Sequence, residues 1–238
     1  MATVTRKQRE ILDRQQQVLQ VARSIFRKRG YLGLNMDRVA HEMNVAKGTI
    51  YQHFKNKEEI ILALAVETLD KRTAMFEQAS VFRGKPRERM AAIGCAAELF
   101  VIRFPDHFEL EKVLSCGSII EKTSENMQLA KTAAEMKCIQ LVSGIVRDAV
   151  ASGDLTLQEH VLPDQVVFGL WSATYGGYSI MSCDETLRQM GIADGFQMVR
   201  DINNRLLDGF SWRPLSTEFD YNRIYEQAAL EIFADAGS

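Results

Sequence analysis

The chain has 238 residues, 46% of them hydrophobic and 25% charged, with a formal net charge of −2, a composition that can bury a real core, so that disorder is not the default. No run approaches the roughly 18 apolar residues of a membrane span, and the opening MATVTRKQREILDRQQQ lacks the apolar stretch of a secretory signal, so a cytoplasmic protein with no membrane partner is expected. Cys95, Cys116, Cys138 and Cys183 lie far apart with no C-x-x-C pair, which frames neither a zinc cluster nor a disulfide scaffold.

The small net charge hides an asymmetry. Residues 1–60 carry 12 Lys+Arg and 6 Asp+Glu, a net +6, whereas residues 61–238 carry 17 and 25, a net −8. A basic head on an acidic body suggests a polyanionic partner confined to the head, although charge alone fits a membrane surface as well as a nucleic acid.

The pattern within the head decides between them. From Ile11, apolar residues recur at helical spacing through Val18, Ala22, Ile25 and Phe26, and Gly30 stops that helix. Asn35 is placed to cap a second, short helix, MDRVAHEM, with Val39, Ala40 and Met43 on one apolar stripe. Asn44 tolerates the left-handed backbone of a sharp reversal, Val45 plugs the corner, and a third helix begins. Ala40, Asn44 and Ile50 thus stand where a helix-turn-helix needs a small residue, a positive-φ residue and an apolar anchor.

On the third helix Ile50 and Phe54 face inward, which turns Lys47, Gly48, Thr49, Tyr51, Gln52 and His53 to the other faces. Thr49 and Gln52 offer groups that pair with base edges, and Gly48 lets backbone come close to DNA. Tyr51, His53 and Lys57 suit phosphate oxygens. Asn56 with Glu59 has the spacing of a capping box for a fourth helix over roughly 57–79.

The segment GYLGLNMDRVAHEMNVAKGTIYQHFKNKEEIILA, Gly30 to Ala63, closely resembles the DNA-binding segment of the TetR family of bacterial transcription regulators. The resemblance implies DNA contacts at Lys47, Gly48, Thr49, Tyr51, His53 and Lys57, with Gln52 as base reader. Ala46 departs from the family, which often has Ser or Thr there as a cap on the recognition helix; a lost cap costs about 1 kcal/mol.

The rest reads as a helical body. RGKPRER (Arg83 to Arg89) is a polar break, and Pro86 suits the first turn of a fifth helix. Met127, Ala130, Ala134, Cys138, Leu141, Ile145 and Ala149 step by three or four along a long helix that ends near SGDL. Pro163 opens a helix through Trp171, Tyr175 and Tyr178, and another runs from about Phe196 to Phe210. No alternating strand pattern appears. The fold expected is all-α, with a helix-turn-helix head over 1–56, a connecting helix over 57–79 and a regulatory, dimerising domain over 80–238.

The resemblance implies a ligand cavity and a dimer seam in that body. Gly176 and Gly177 each cost about 1 kcal/mol of helix propensity against Ala, which calls for a close approach by another helix; both a partner copy and an intramolecular crossing satisfy it. Candidates for the cavity are Phe100, Phe104, His107, Phe108, Met127, Trp171 and Tyr175. His107 and Glu111 share a face at i, i+4, but Pro105 and Asp106 also simply start a helix, and no metal is assigned. No G-x-S-x-G, P-loop, G-x-G-x-x-G or H-E-x-x-H motif occurs, so neither catalysis nor a cofactor is expected. The expected function is a ligand-responsive repressor binding a palindromic double-stranded DNA operator as a homodimer, its effector a small hydrophobic or amphipathic molecule. The alternatives are a cysteine-based redox regulator of the same fold and a non-specific DNA-organising protein.

Overall fold

The structure is a computed structural model that describes residues 5–114, 117–181 and 184–234. Its elements are α1 (Arg6–Gly33), α2 (Met36–Glu42), α3 (Lys47–Tyr51), α4 (Lys57–Ser80), α5 (Pro86–Arg103), α6 (Pro105–Leu114), α7 (Gly117–Ile120), α8 (Glu125–Ser152), α9 (Pro163–Ile180), α10 (Asp184–Gln189), α11 (Gly195–Gly209) and α12 (Asn222–Glu231). No strand occurs among the described residues, so the protein is all-α. The chain divides into two units, Met1–Leu69 with Pro105–Ala134 and Asp70–Phe104 with Glu135–Ser238, so the boundaries fall inside α4, between α5 and α6, and inside α8.

In the first unit α1 begins five residues before Ile11, because Thr5 caps it: the Thr5 hydroxyl accepts from Gln8 N–H and the Gln8 side chain accepts from Thr5 N–H. Gly30 breaks the helix with φ 64 and ψ −171, a backbone that only glycine adopts freely. Val18, Leu19, Ala22, Ile25 and Phe26 of α1 share a core with Val39 and Ala40 of α2, Ile50, Phe54, Ile60, Ile61 and Leu64. Leu110, Leu114 and Ile119 join that same core, which brings α6 and α7 into the unit that holds the head.

The second unit is built on two helix pairs, α9 with α11 and α5 with α12, around a core that includes Phe100, Ile145, Leu155, Val166, Trp212 and Phe233. Gly177 is where α9 and α11 cross closely: a Cβ there would lie 2.4 Å from Val199 Cγ2. The intramolecular crossing therefore accounts for Gly177, whereas Gly176 faces open space. Pro86 opens α5 as expected, and next to it Arg87, 1% exposed, holds the chain after α11. Its guanidinium donates to Pro214 O (2.8 Å), Asn204 O (3.2 Å), Trp212 O and Asp208 Oδ1 (2.5 Å), and stacks over Tyr221. The two terminal nitrogens of this buried charge are thus paired, while Nε has no hydrogen-bond partner; removing the ionic partner would be costly.

Candidate nucleic-acid interface

The head's local geometry follows from four residues. Asn35 caps α2 by accepting from Arg38 N–H at 2.8 Å, in the role its sequence position indicates. Asn44 takes φ 54, Asn44 N–H bonds His41 O (3.0 Å) and Val45 N–H bonds Ala40 O (3.0 Å). This pair is the Schellman closure of a helix end, and it sets the angle at which α3 leaves α2. Ile50 and Phe54, 0% and 5% exposed, anchor α3 in the core.

The α3 helix is shorter than its sequence suggests. Regular helix ends at Tyr51; Gln52 keeps helical angles as the C-cap, and His53 N–H bonds Ile50 O at 3.0 Å. Ala46 occupies the N-cap position with no side-chain cap bond. Thr49 N–H bonds Ala46 O at 2.9 Å.

With Ile50 buried, Lys47, Gly48, Tyr51 and Gln52 are exposed, and Thr49, His53 and Lys57 are half-buried. A Cβ at Gly48 would meet nothing within 4 Å, so the fold itself places no demand for glycine there. His53 turns Nδ1 inward, where it has no hydrogen-bond partner. Lys57 Nζ sits 4.0 Å from the Tyr31 ring centroid, close enough for cation–π attraction. Asn56 Oδ1 accepts from Glu59 N–H at 2.8 Å, but the Glu59 carboxylate returns to Lys55 N–H (2.8 Å) and not to Asn56.

One residue absent from the sequence reading enters this face. Lys47 Nζ lies 2.7 Å from Asp37 Oδ1, with both side chains largely exposed, and the hydrogen bond to Asp37 raises the Lys47 pKa. Nothing in the spacing of Asp37 marks it; the folded turn between α2 and α3 brings it there.

The seven cavity candidates fall in both units. Phe100 packs in the second unit's core at 5.8 Å from Phe104, and Tyr175 is half-buried in the same unit. Trp171 is 48% exposed on α9, edge-on to the 63% exposed Phe168. His107 and Phe108 are buried in the first unit, where Met127 is half-buried. The Thr68 hydroxyl donates to Leu64 O (2.9 Å) and lies 2.8 Å from His107 Nδ1. Its single proton is already committed, so it accepts from Nδ1–H, and that nitrogen carries the proton.

Among the described residues no group of three or more His, Cys, Asp or Glu is arranged to hold a metal, and no helix is long and apolar enough to cross a membrane. Cys95 is buried and donates to Tyr225 O at 3.3 Å. Burial pushes its thiol up to about 12, which leaves almost no reactive thiolate. Cys138 is buried as well, and Cys116 and Cys183 lie outside the described residues.

Residues 18–64 match the profile of the family described as bacterial regulatory proteins, tetR family. The chain is 25% identical over 156 residues to the fatty acid metabolism regulator protein of Bacillus subtilis, covering 64% of this chain and 77% of that one. It is 22% identical over 185 residues to the HTH-type transcriptional regulator UidR of Escherichia coli K12, covering 76% and 87%. Among solved structures, the fatty acid degradation regulator FadR from Bacillus halodurans superposes with a TM-score of 0.60 at 14% identity, covering 84% of this chain and 97% of that one.

Proposed function

The chain belongs to the TetR family of bacterial transcriptional regulators, and from that premise we propose that it represses transcription as a homodimer on a near-palindromic operator and releases DNA when a small apolar or amphipathic molecule binds its helical body. The observation that carries the reading is the two-faced segment of α3 and the turn after it: Ile50 and Phe54 sealed in the core, Lys47, Gly48, Tyr51 and Gln52 turned to solvent. Thr49 and Gln52 read base edges in the major groove, and Lys47, Tyr51, His53 and Lys57 hold phosphates. Gly48, which the fold itself does not require, leaves room for a DNA strand.

Two copies place two recognition helices about 34–36 Å apart, one turn of DNA. Phe168, Trp171 and Ile180 on α9 and Ile202 on α11 are exposed apolar side chains on a helix pair, the surface a second copy would cover. An effector class with an apolar chain is supported by the relative named for fatty acid metabolism. It acts by binding the DNA-incompetent arrangement more tightly; couplings of this kind are typically about 1 to 3 kcal/mol.

Selection of bound duplexes from a random library, followed by mobility-shift titration, tests the DNA reading: a palindromic consensus is expected, and equal binding to random and selected duplexes would sink it. Light scattering on Trp171→Arg tests the seam, with a dimer expected for the unaltered chain and a monomer with weakened operator binding for the variant. Long-chain acyl compounds added to the operator complex should release the DNA.

A further inference from the structure

A lysine outside the family-matched segment, Lys122, stands beside the first turn of α4. The turn between α7 and α8 is docked in the first unit, with Ile119 4% exposed in its core. Asn56 Nδ2 donates to Lys122 O at 2.9 Å, across 66 residues of chain, while Asn56 Oδ1 caps α4 through Glu59 N–H. One amide thus ties the Lys122 backbone to the first turn of α4. The turn is braced internally: Thr123 Oγ1 donates to Ile120 O (2.7 Å), and Gln128 Nε2 donates to Ile120 O (2.9 Å) and Thr123 O (3.1 Å).

The Lys122 side chain is 62% exposed, and its Nζ lies 3.7 Å from Glu58 Oε1. Lys55 is exposed nearby in sequence, and Lys57 lies over Tyr31. Glu121 and Glu125, which flank the turn, are exposed, whereas Glu58 and Glu59 are buried. The buried pair is committed to hydrogen bonds from Tyr31 Oη (3.1 Å) and Lys55 N–H (2.8 Å). Three ammonium groups therefore stand at or near the surface with Glu58 and Glu59 turned inward, opposed by the exposed Glu121 and Glu125, and the N-terminal end of a 24-residue helix adds positive potential to the same spot.

We propose that Lys122 binds a DNA phosphate beside the one assigned to Lys57, so that the DNA surface extends past the helix-turn-helix onto the turn between α7 and α8. The inference rests on the DNA-binding reading of the head. Its occupant is the duplex backbone, since the patch offers cationic, rotatable groups without a base-reading array.

The test titrates the full-length protein against a labelled random-sequence 30-bp duplex at several salt concentrations, with Lys122→Gln, Lys122→Arg, Lys57→Gln and, as a charge control in the other unit, Lys137→Gln. One lost phosphate contact lowers the slope of log K against log salt by about 0.9 and weakens binding at 0.1 M salt by about five- to tenfold. Lys122→Gln should show both, Lys122→Arg should bind as the unaltered chain does, and Lys137→Gln should change neither. A role confined to packing would leave the salt slope unmoved, and the backbone carbonyl that holds the turn is kept in every variant. If Lys122→Gln matches Lys137→Gln while Lys57→Gln loses slope, the inference about Lys122 is wrong and the reading of the head stands. If neither Lys57→Gln nor Lys122→Gln alters binding, both are wrong.

Discussion

Asp37 and Lys47 set the electrostatics at the tip of the recognition helix. An ammonium hydrogen-bonded to a carboxylate must exchange that partner for a phosphate on binding, and an acid beside a polyanion opposes association at every sequence. Asp37→Asn should therefore tighten binding to random duplex and steepen its salt dependence by about one counterion, while Lys47→Gln should flatten it. A weaker Asp37→Asn complex would mean that the acid orients Lys47 for DNA and does not restrain it. The exposure of Tyr51 and Gln52 was readable in the sequence because an apolar anchor at Ile50 dictates which neighbours face out. Asp37 was not, since its partner lies across a turn whose angle only the folded chain specifies.

At the scale of elements, the head depends on how helices end and the body on how closely they approach. Asn44 at φ 54 closes α2. An alanine there meets the steric cost of left-handed backbone, about 1–2 kcal/mol, so Asn44→Ala should lower the melting temperature by several degrees while Asn44→Gly stays near the unaltered chain. In the second unit, a Cβ at Gly94 would stand 2.0 Å from Tyr225 Oη. Gly94→Ala is an overpacking change, expected to cost about 1–3 kcal/mol in equilibrium unfolding. Adding Tyr225→Phe should recover part of the loss, because the two sites are in contact and their effects are not additive. Full additivity would show that α5 and α12 do not meet as described. The ends of α1 to α5 were largely legible because Asn35, Asn44, Asn56 and Pro86 are residues with strong backbone preferences. The first turns of α1 were missed: Thr5 lies before the apolar repeat begins, and only its reciprocal bonds with Gln8 mark it as a cap.

For the whole molecule, two cores imply that stability is distributed, and the Arg87 cluster anchors the chain after α11 in one of them. Burial pushes the Asp208 carboxyl up, but the Ser216 hydroxyl and backbone N–H together with the Arg87 guanidinium outweigh it and hold the pKa below its ordinary value. A carboxylate lowered on folding adds stability that is complete above the unfolded value of about 4 and is lost as pH falls through the lower folded value. Asp208→Asn should therefore reduce the urea midpoint at pH 7, and the gap between variant and unaltered chain should close on acidification below about pH 4. A gap that persists unchanged at pH 2 would exclude this origin.

The sequence by itself determined the all-α class, the helix-turn-helix and its outward face, because helical period, capping residues and one positive-φ turn act over a few residues and need no distant partner. Only the tertiary structure decided that α6, α7 and the start of α8 share a core with the head, that Gly177 serves a crossing within the chain, and that Asp37 stands beside Lys47 and Lys122 beside the start of α4. The physical reason is that an apolar stripe reports that it will be buried but not against what, and a surface charge acquires its role from neighbours that are close in space and remote in the chain.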